Sequence, residues 1–276
     1  MFNFITDPFF HTSLLLVMIA FALVDIKRDQ KPINWLFFLP FGFLAFSFLY
    51  QAYQQRAAYE WQIMHTFFQK YYHYWNWDKA FTKIPLNNGW PFRLFRPHWL
   101  NVYFAFVYET AFYLNLWVGV IRGFFAKDIK KMFRYMFAGL VLQMIIIYPF
   151  YYTVLLQEVW FVQGDPDLLH RQFSSHAALL STVADCFPSM HTSTAFAVLL
   201  LALRERGKWF KWLMVADCAS IIVSTLYNKI HWLLDVLAGM LLAYITVIAV
   251  DWILDRLLPN VWRKIVVRIP LLSSIK

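Results

Sequence analysis

Residues 186–200 have the sequence CFPSMHTSTAFAVLL, in which a serine and a histidine stand at the start of a long apolar run. Pro188 suits the first turn of a helix, because its missing N–H would have no hydrogen-bond partner there. Ser189 and His191 are therefore predicted at the start of a helix whose later residues are apolar enough for lipid. A helix of this kind begins at a membrane surface and continues into the bilayer.

The composition of the whole chain indicates the same environment. Of its 276 residues, 61% are hydrophobic and only 15% are charged, whereas soluble domains carry about 25% charged residues. The mean hydropathy is +0.49, and apolar runs near the ~20 residues that cross a bilayer recur along the sequence. We therefore predict an all-α, multi-pass integral membrane protein that forms a single membrane domain over residues 1–276.

Apolar runs predict a bundle of about six or seven transmembrane helices, at 9–25, 34–50, 99–121, 132–156, 189–204, 209–227 and 232–255. Basic residues cluster in the links after the first, third and fifth runs, which is typical of cytoplasmic loops. This pattern predicts a cytoplasmic C-terminus and places the links before Ser189 and around His231 on the outer side, whether periplasmic, extracellular or lumenal. The net charge of +9 is thereby attributed to membrane orientation, and no nucleic-acid partner is expected.

The segment at about 50–76 has a different pattern from the apolar runs. Aromatic and apolar residues recur there at steps of three and four, and glutamines occupy the opposite side. This periodicity predicts an amphipathic helix that lies in the bilayer interface. Two roles are open for this helix: it is either a surface anchor or a lid over a lipid-binding site.

A second polar stretch, STLYNKIHWLLDVLAG at 224–239, is predicted on the same side of the membrane as His191. His231 and Asp235 are four residues apart, so on a helix they share one face, where the carboxylate can hold one ring nitrogen and leave the other for a substrate. The helix start near His191 favours a phosphate, because free N–H groups and the helix dipole point outward there. These features together indicate nucleophilic and acid–base chemistry on a phosphate ester.

The two stretches resemble the second and third signature motifs of the type 2 phosphatidic acid phosphatase superfamily, over roughly residues 165–245. The family's third motif has an arginine where this chain has Thr225, and no segment fits the family's first motif, since Arg96-Pro97 lacks the lysine that belongs with it. With Thr225 in this position, the segment resembles the branch of fungal inositol phosphorylceramide synthase and sphingomyelin synthase-like enzymes. The third motif of that branch also combines Ser, Thr and Tyr, as Ser224, Thr225 and Tyr227 do here. The motif-bearing catalytic core is expected at about 99–256.

The resemblance implies a membrane enzyme that needs no metal or other cofactor. His231, oriented by Asp235, would attack the phosphorus of a phospholipid donor and form a phosphohistidine, while His191 protonates the leaving oxygen and later deprotonates the acceptor. The expected reaction moves a phospho-head group, for example phosphoinositol, from a glycerophospholipid to a lipid alcohol such as ceramide. Since the family's usual Lys and Arg are absent, the candidate phosphate-binding residues are Ser189, Arg171 and Lys229.

Three alternatives remain open. Water in place of the lipid alcohol would make the protein a lipid phosphate phosphatase, acting on phosphatidic acid-like or isoprenoid phosphate substrates. His191, His231 and Asp235 could instead form a two-histidine, one-carboxylate site for iron. The aromatic residues, 21% of the chain, could also line the conduit of a transporter.

The sequence also contains two cysteines, and some ionisable residues lie inside apolar runs. Cys186 and Cys218 are the only cysteines, too few for a disulfide framework, and Cys218 is expected to pack as a small hydrophobic side chain within its apolar run. Glu109 and Asp217 lie inside predicted membrane helices, where an ionisable group is costly unless it is paired. Such residues are by default functional candidates, and hydrogen bonds between helices are the preferred explanation for both carboxyl groups.

Overall fold

The computed structural model of the chain describes residues 8–26, 35–43, 45 and 55–257. Within these ranges the regular secondary structure is helical and contains no β-strand. Only two isolated bridges occur there, between Asn76 and Leu155 and between Leu156 and Asp185. The all-α fold predicted from the sequence is confirmed.

The described helices follow one another with short links. In chain order the α-helices are α1 (Pro8–Leu23), α2 (Gln55–Trp75), α3 (Asp78–Lys83), α4 (His98–Phe106), α5 (Phe112–Phe125), α6 (Ile129–Met136), α7 (Leu142–Thr153), α8 (Val159–Gln163), α9 (His176–Ala184), α10 (Met190–Ala202), α11 (Lys208–Tyr227) and α12 (Leu233–Trp252). Short 3₁₀ turns occur at Trp35–Phe38 and Trp90–Arg93. Three π turns join or extend the helices, at Val107–Ala111, Phe137–Val141 and Ile253–Leu257.

Three helical segments are long and apolar enough to cross a membrane: Ile129–Thr153, which combines α6 and α7, Lys208–Tyr227 and Leu233–Arg256. A fourth span is formed if His98–Ala111 and Leu114–Phe125, which are bent by 49° relative to each other, are counted together. The apolar part of α1 and the whole of α10 are shorter than the ~20 residues that a span needs. These segments agree with an integral membrane protein.

Two predicted runs differ from the helices of the structure. The run 99–121 is not one straight helix, because the π turn Val107–Ala111 separates α4 from α5. The run 189–204 corresponds to α10, whose 13 residues extend over about 20 Å, less than the ~30 Å hydrocarbon core of a bilayer. The run 34–50 lies partly outside the described residues. The number of six or seven spans therefore stays a prediction.

Helix α10 occupies the centre of the bundle and packs against α5, α11 and α12. Its small side chains, among them Ala195 and Ala202, are fully buried and allow the neighbouring helices to approach closely. The closest approach is at Gly239 of α12, where an added Cβ would lie 2.7 Å from the carbonyl oxygen of Ser189. Glycine at this position holds the beginning of α12 beside the beginning of α10.

A buried ion-pair network lies at the opposite end of the bundle from His231. Arg122, only 2% exposed, donates from Nε to Glu205 at 3.0 Å, and Lys131 Nζ lies 2.9 Å from the same carboxylate. A cavity of about 550 Å³ opens beside this network. The 20 residues of α11 separate the two ends by about 30 Å. Basic residues predicted to be cytoplasmic thus lie far from the candidate site, and the membrane side that each end faces stays a prediction.

Helix α2 covers most of the amphipathic helix predicted at about 50–76, of which residues 50–54 lie outside the described part of the chain. On one side, Met64 and Phe68 are buried against α7 and α9, in a cluster that also contacts Met190 at the start of α10. On the opposite side, large side chains including Tyr59 and Ile63 are exposed. The amphipathic character is present, whereas the interfacial location stays a prediction.

Candidate active site

His231 and Asp235 form a buried hydrogen-bonded pair. Nδ1 of His231 lies 2.6 Å from Oδ2 of Asp235, and the two residues are 2% and 0% exposed. Asp235 lies in the first turn of α12, where the positive end of the helix dipole stabilises its charge. Because a carboxylate only accepts hydrogen bonds, the ring proton is on Nδ1 and the lone pair is on Nε2.

The predicted pairing of His231 with Asp235 occurs, but not through helix geometry. His231 lies in the turn before α12, and Trp232, in extended conformation, is the residue that precedes the helix. The Thr225 carbonyl oxygen holds this turn by accepting from the backbone N–H groups of Ile230 and His231, both at 3.1 Å. The turn therefore brings the imidazole back over the first turn of α12.

Asn87 fixes the beginning of α12 from a distant part of the chain. Its carbonyl oxygen accepts from the N–H of Leu233 at 2.7 Å, and its side-chain Oδ1 accepts from the N–H of Leu234 at 2.9 Å. Asn87 is 1% exposed. Two otherwise unpaired N–H groups of the first helical turn are satisfied in this way. The only sequence signal for Asn87 is the turn-rich stretch PLNNGWP that contains it.

His191 lies in the first turn of α10, as predicted. Its ring centroid is 6.2 Å from that of His231, so the two imidazoles face a common space. Tyr108 stacks on the His191 ring at 4.1 Å between centroids, and Phe112 packs against it at the same distance. Both aromatic residues flank or belong to the π turn between α4 and α5. The bend in this helix thus positions the two rings that hold His191.

Cys186 completes the polar cluster around Asp235. Its Sγ lies 3.3 Å from Oδ2 of Asp235 and 3.6 Å from Nδ1 of His231, and the residue is fully buried. Burial raises the pKa of the Cys186 thiol well above its usual range, so this group is a neutral donor. Cys186 was assigned no site role from the sequence, although it directly precedes the Phe-Pro-Ser-x-His motif.

Arg171 is a candidate phosphate-binding residue that already has acidic partners. Its guanidinium donates to Asp167 at 2.8 Å and to the two carboxylate oxygens of Glu158. Burial acts to lower the pKa of Arg171, but the charge and hydrogen bonds of Glu158 outweigh burial and hold this pKa above its ordinary value. The charge of Arg171 acts on the His191 ring. Arg171 is therefore permanently charged, within electrostatic range of His191, and held in place.

The other two phosphate-binding candidates, Lys229 and Ser189, also form hydrogen bonds within the protein. Lys229 donates from Nζ to Asp165 at 2.6 Å. Ser189 is the N-cap of α10: its Oγ accepts from the N–H of Thr192 at 3.2 Å and donates to the Thr192 hydroxyl at 3.0 Å. Ser189 thus organises the helix start next to His191, and whether either residue binds phosphate stays a prediction.

The geometry does not favour the iron alternative. A two-histidine, one-carboxylate site needs His191, His231 and Asp235 to bind the same ion. Among the described residues, the group that could hold a metal consists of Cys186, His231 and Asp235, with ligand atoms within 4.8 Å of one another. His191 does not belong to it.

The two ionisable residues within the helices differ in their contacts. Asp217 on α11 accepts from Nδ2 of Asn115 on α5 at 3.1 Å, which confirms the predicted hydrogen bond between helices. Glu109 lies in the π turn, within electrostatic range of Arg171 and Asp167. Glu109 therefore belongs to the polar surroundings of the candidate site.

Comparison with protein families places most of the chain in one family. The family model described as PAP2 superfamily matches residues 92–258, which is more than half of the chain. The matched region contains both histidines, Asp235 and Arg96-Pro97. No curated protein and no solved structure was found to match the chain.

Proposed function

We propose that this chain, which belongs to the PAP2 superfamily, is a lipid head-group phosphotransferase that works through a phosphohistidine on His231. Membership of this superfamily supports a phosphoryl-transfer or phosphatase activity on lipids. The observation that carries the proposal is the 2.6 Å bond between His231 and Asp235, with the His191 ring 6.2 Å away. This arrangement has the parts of a nucleophile, its orienting carboxylate and a separate proton donor.

The first half-reaction uses the lone pair that Asp235 leaves on Nε2 of His231. A bond forms between Nε2 and the donor's phosphorus, and the bond from phosphorus to the diacylglycerol oxygen breaks. His191 gives its proton to that oxygen, which leaves as a neutral alcohol. The two rings are close enough, at 6.2 Å between centroids, for both to reach one phosphate group bound beside them. The products are diacylglycerol and a phosphohistidine that carries the head group.

The second half-reaction returns the enzyme to its starting state. His191, now neutral, removes the proton of the acceptor hydroxyl, whose oxygen bonds to phosphorus as the bond to Nε2 breaks. The N–H groups at the start of α10 and the charge of Arg171 stabilise the negative oxygens in both steps. The donor is a membrane phospholipid, the acceptor is a lipid alcohol such as ceramide, and the charge pattern favours a site on the outer face.

Transfer in preference to hydrolysis requires that the acceptor is held against the phosphorus. A phosphohistidine at a membrane surface is exposed to concentrated water, and positioning can give a bound acceptor an effective molarity of about 10⁵ M or more. Tyr108 and Phe112 surround His191 with aromatic surface, and α2 contacts the start of α10 through the cluster around Met64. Thr225 in place of arginine further supports the inositol phosphorylceramide synthase-like branch.

Hydrolysis is the second candidate function, because the family also supports phosphatase chemistry. In that case water resolves the same phosphohistidine, and the substrate is a phosphatidic acid-like or isoprenoid phosphate. The first half-reaction is common to both functions. Product analysis therefore separates them, whereas loss of activity in a site variant does not.

The decisive experiment is mass spectrometry of lipids after purified protein has been incubated with phosphatidylinositol, with and without ceramide. We expect a new inositol phosphorylceramide and an equal amount of diacylglycerol, both of which require His231 and disappear in His231→Ala. Release of inorganic phosphate from phosphatidic acid, with no new phosphorylated lipid from any acceptor offered, would assign the protein to the phosphatases. No reaction in wild type with any of a panel of phospholipids would contradict both functions.

A further inference from the structure

Three side chains in the candidate site present the atoms that thiophilic metal ions prefer. Sγ of Cys186 is 3.3 Å from Oδ2 of Asp235 and 3.6 Å from Nδ1 of His231. Nδ1 and Oδ2 are 2.6 Å apart. All three residues are at most 2% exposed. Thiolate, imidazole and carboxylate are the ligands of structural and catalytic zinc sites.

These distances are close to those of a tetrahedral zinc site. Bonds to zinc of about 2.3 Å from sulfur and about 2.0–2.2 Å from nitrogen and oxygen imply separations of roughly 3.4–3.6 Å between ligand atoms. Both sulfur distances around Cys186 are already within a few tenths of an ångström of this range. Only the contact between His231 and Asp235 must open, from 2.6 Å by less than one ångström.

A second observation concerns the other carboxylate oxygen of Asp235. Oδ1 is buried and has no hydrogen-bond partner among the described residues, although Asp235 is fully buried. An unpaired carboxylate oxygen in such a place is costly, and a cation beside it removes that cost. One divalent ion together with one thiolate and one carboxylate is also electrically neutral, so the occupied cluster can stay buried.

We propose that Cys186, His231 and Asp235 form an inhibitory site for a thiophilic divalent cation, Zn²⁺ or Cd²⁺. The binding part of this proposal stands on the geometry alone, and the inhibitory part rests on the proposed function of His231. The ion can reach this site past His191, because His191 is only partly buried and faces His231. The ion and the phospholipid head group therefore compete for one space.

Inhibition follows from the position of a single proton. When the metal bonds to Nδ1, the imidazole proton must sit on Nε2, which then has no lone pair with which to attack phosphorus. The Cys186 thiol loses its proton to solvent as its sulfur bonds to the ion. The hydrogen bond from His231 to Asp235 is replaced by two metal–ligand bonds. The metal-bound enzyme therefore lacks its nucleophile.

The test of binding uses Cd²⁺ alone with detergent-purified full-length protein. Cadmium bound to thiolate gives an ultraviolet charge-transfer band, and we expect this band to saturate at one ion per chain. Cys186→Ser should remove it, because serine offers no thiolate. Cys218→Ser is the matched control: Cys218 is also free and fully buried, but its neighbour is Asn115 of the helix bundle, so the band should persist.

Asp235→Asn gives a second variant that keeps the thiol, in case Cys186→Ser does not fold. Removal of one charged ligand should weaken Cd²⁺ binding by roughly 10–100-fold. A band that persists in Cys186→Ser, or that disappears in Cys218→Ser, overturns the site. Equal Cd²⁺ affinity of Asp235→Asn and wild type also overturns it. None of these measurements depends on catalytic activity, so they hold even if the proposed function fails.

The test of inhibition adds Zn²⁺ to the lipid assay and compares each variant with its own metal-free rate. We expect wild type and Cys218→Ser to be inhibited together, with full recovery after excess EDTA. Cys186→Ser should need roughly 10–100-fold more Zn²⁺ for half-inhibition. Equal sensitivity of Cys186→Ser and Cys218→Ser would show that Zn²⁺ acts elsewhere and would overturn the inhibitory role.

Discussion

At the scale of single residues, Asp235 decides which nitrogen of His231 carries the proton. A carboxylate can only accept, whereas an asparagine of the same shape can donate its amide N–H to Nδ1 and reverse the tautomer. We expect Asp235→Asn to lower the rate of lipid product formation by roughly 10⁴-fold, the loss typical of a wrongly protonated histidine in such a pair. Product formation is measured by mass spectrometry.

Asp217→Asn is the control for this substitution. Asp217 accepts a hydrogen bond from Asn115 within the bundle and lies almost three helical turns before the end of α11. This variant should keep most of its activity. If Asp235→Asn and Asp217→Asn are equally active, Asp235 does not orient the nucleophile.

Asp78 gives the stability of the protein a pH dependence. Burial raises the pKa of Asp78 to about 6, and the N–H of Gln157, 2.8 Å from its carboxylate, offsets only part of this. Because the folded state binds the proton more tightly than the unfolded chain, the contribution of Asp78 to stability is complete below its ordinary pKa of 3.8 and is lost as pH rises through 6. The loss is at most about 3 kcal/mol.

Thermal unfolding of the detergent-purified protein from about pH 4 to about pH 7 measures this contribution. We expect the melting temperature of wild type to fall over this interval more steeply than that of Asp78→Asn, whose side chain has no charge to bury. Parallel curves for the two proteins would mean that Asp78 is not the group responsible.

At the scale of helices, α2 is the element expected to separate transfer from hydrolysis. Its buried side, which includes Trp61 and Phe68, packs towards the start of α10. Trp61→Ala combined with Phe68→Ala removes packing that holds the helix there, so water should gain access and the ratio of hydrolysis to transfer should rise. The ratio is measured from inositol phosphate and inositol phosphorylceramide in the same reaction.

Two exposed aromatic side chains of α2 supply the control. Tyr59 and Tyr72 are 64% and 49% exposed, so Tyr59→Ala combined with Tyr72→Ala removes a similar amount of aromatic surface without disturbing the packing. The control should keep the wild-type ratio. An unchanged ratio in both double variants would mean that α2 only anchors the protein.

Strong periodicity explains which elements could be predicted. The end of α2 and both ends of α11 lie within one residue of those predicted at 50–76 and 209–227, since their apolar patterns are long and regular. The π turn Val107–Ala111 has no such signal, because one additional residue in a helix leaves its composition unchanged. The bend in the run 99–121 was therefore not predicted.

The candidate site was predicted where its contacts are local and missed where they are not. His231 and Asp235 are four positions apart, so their spacing alone indicated a pair. Cys186 contacts Asp235 from 49 positions away, and Asn87 hydrogen-bonds to Leu234 at the start of α12 from 147 positions away, through packing of separate helices and loops. Periodicity and residue spacing cannot predict such contacts, because they depend on the complete fold.

At the scale of the whole molecule, the candidate site and the Arg122 network define two ends whose membrane sides can be tested. A cysteine at exposed Gln163 should react with a membrane-impermeant maleimide in intact cells, and one at exposed Lys208 only after permeabilisation. Gln163 is preferable to Gly164, whose φ of +70° disfavours other residues. Labelling is read from the protein in a gel.

The unsubstituted protein serves as the blank in this experiment. Cys186 and Cys218 are both fully buried, so they should not react with the reagent. Labelling of Lys208→Cys but not Gln163→Cys in intact cells would reverse the predicted orientation. The candidate site would then face the cytoplasmic leaflet and its lipids.

The π turn between α4 and α5 also has a consequence for how this protein can vary. Each residue of an α-helix advances the side chains by about 100° around the axis. Deleting one residue from Val107–Ala111 would restore regular α-helix and rotate Phe112 by that angle relative to Tyr108, so the two rings could no longer contact His191 together. The number of residues in this π turn thus sets the orientation of the His191 ring. An insertion or deletion there would change that orientation without changing any catalytic side chain.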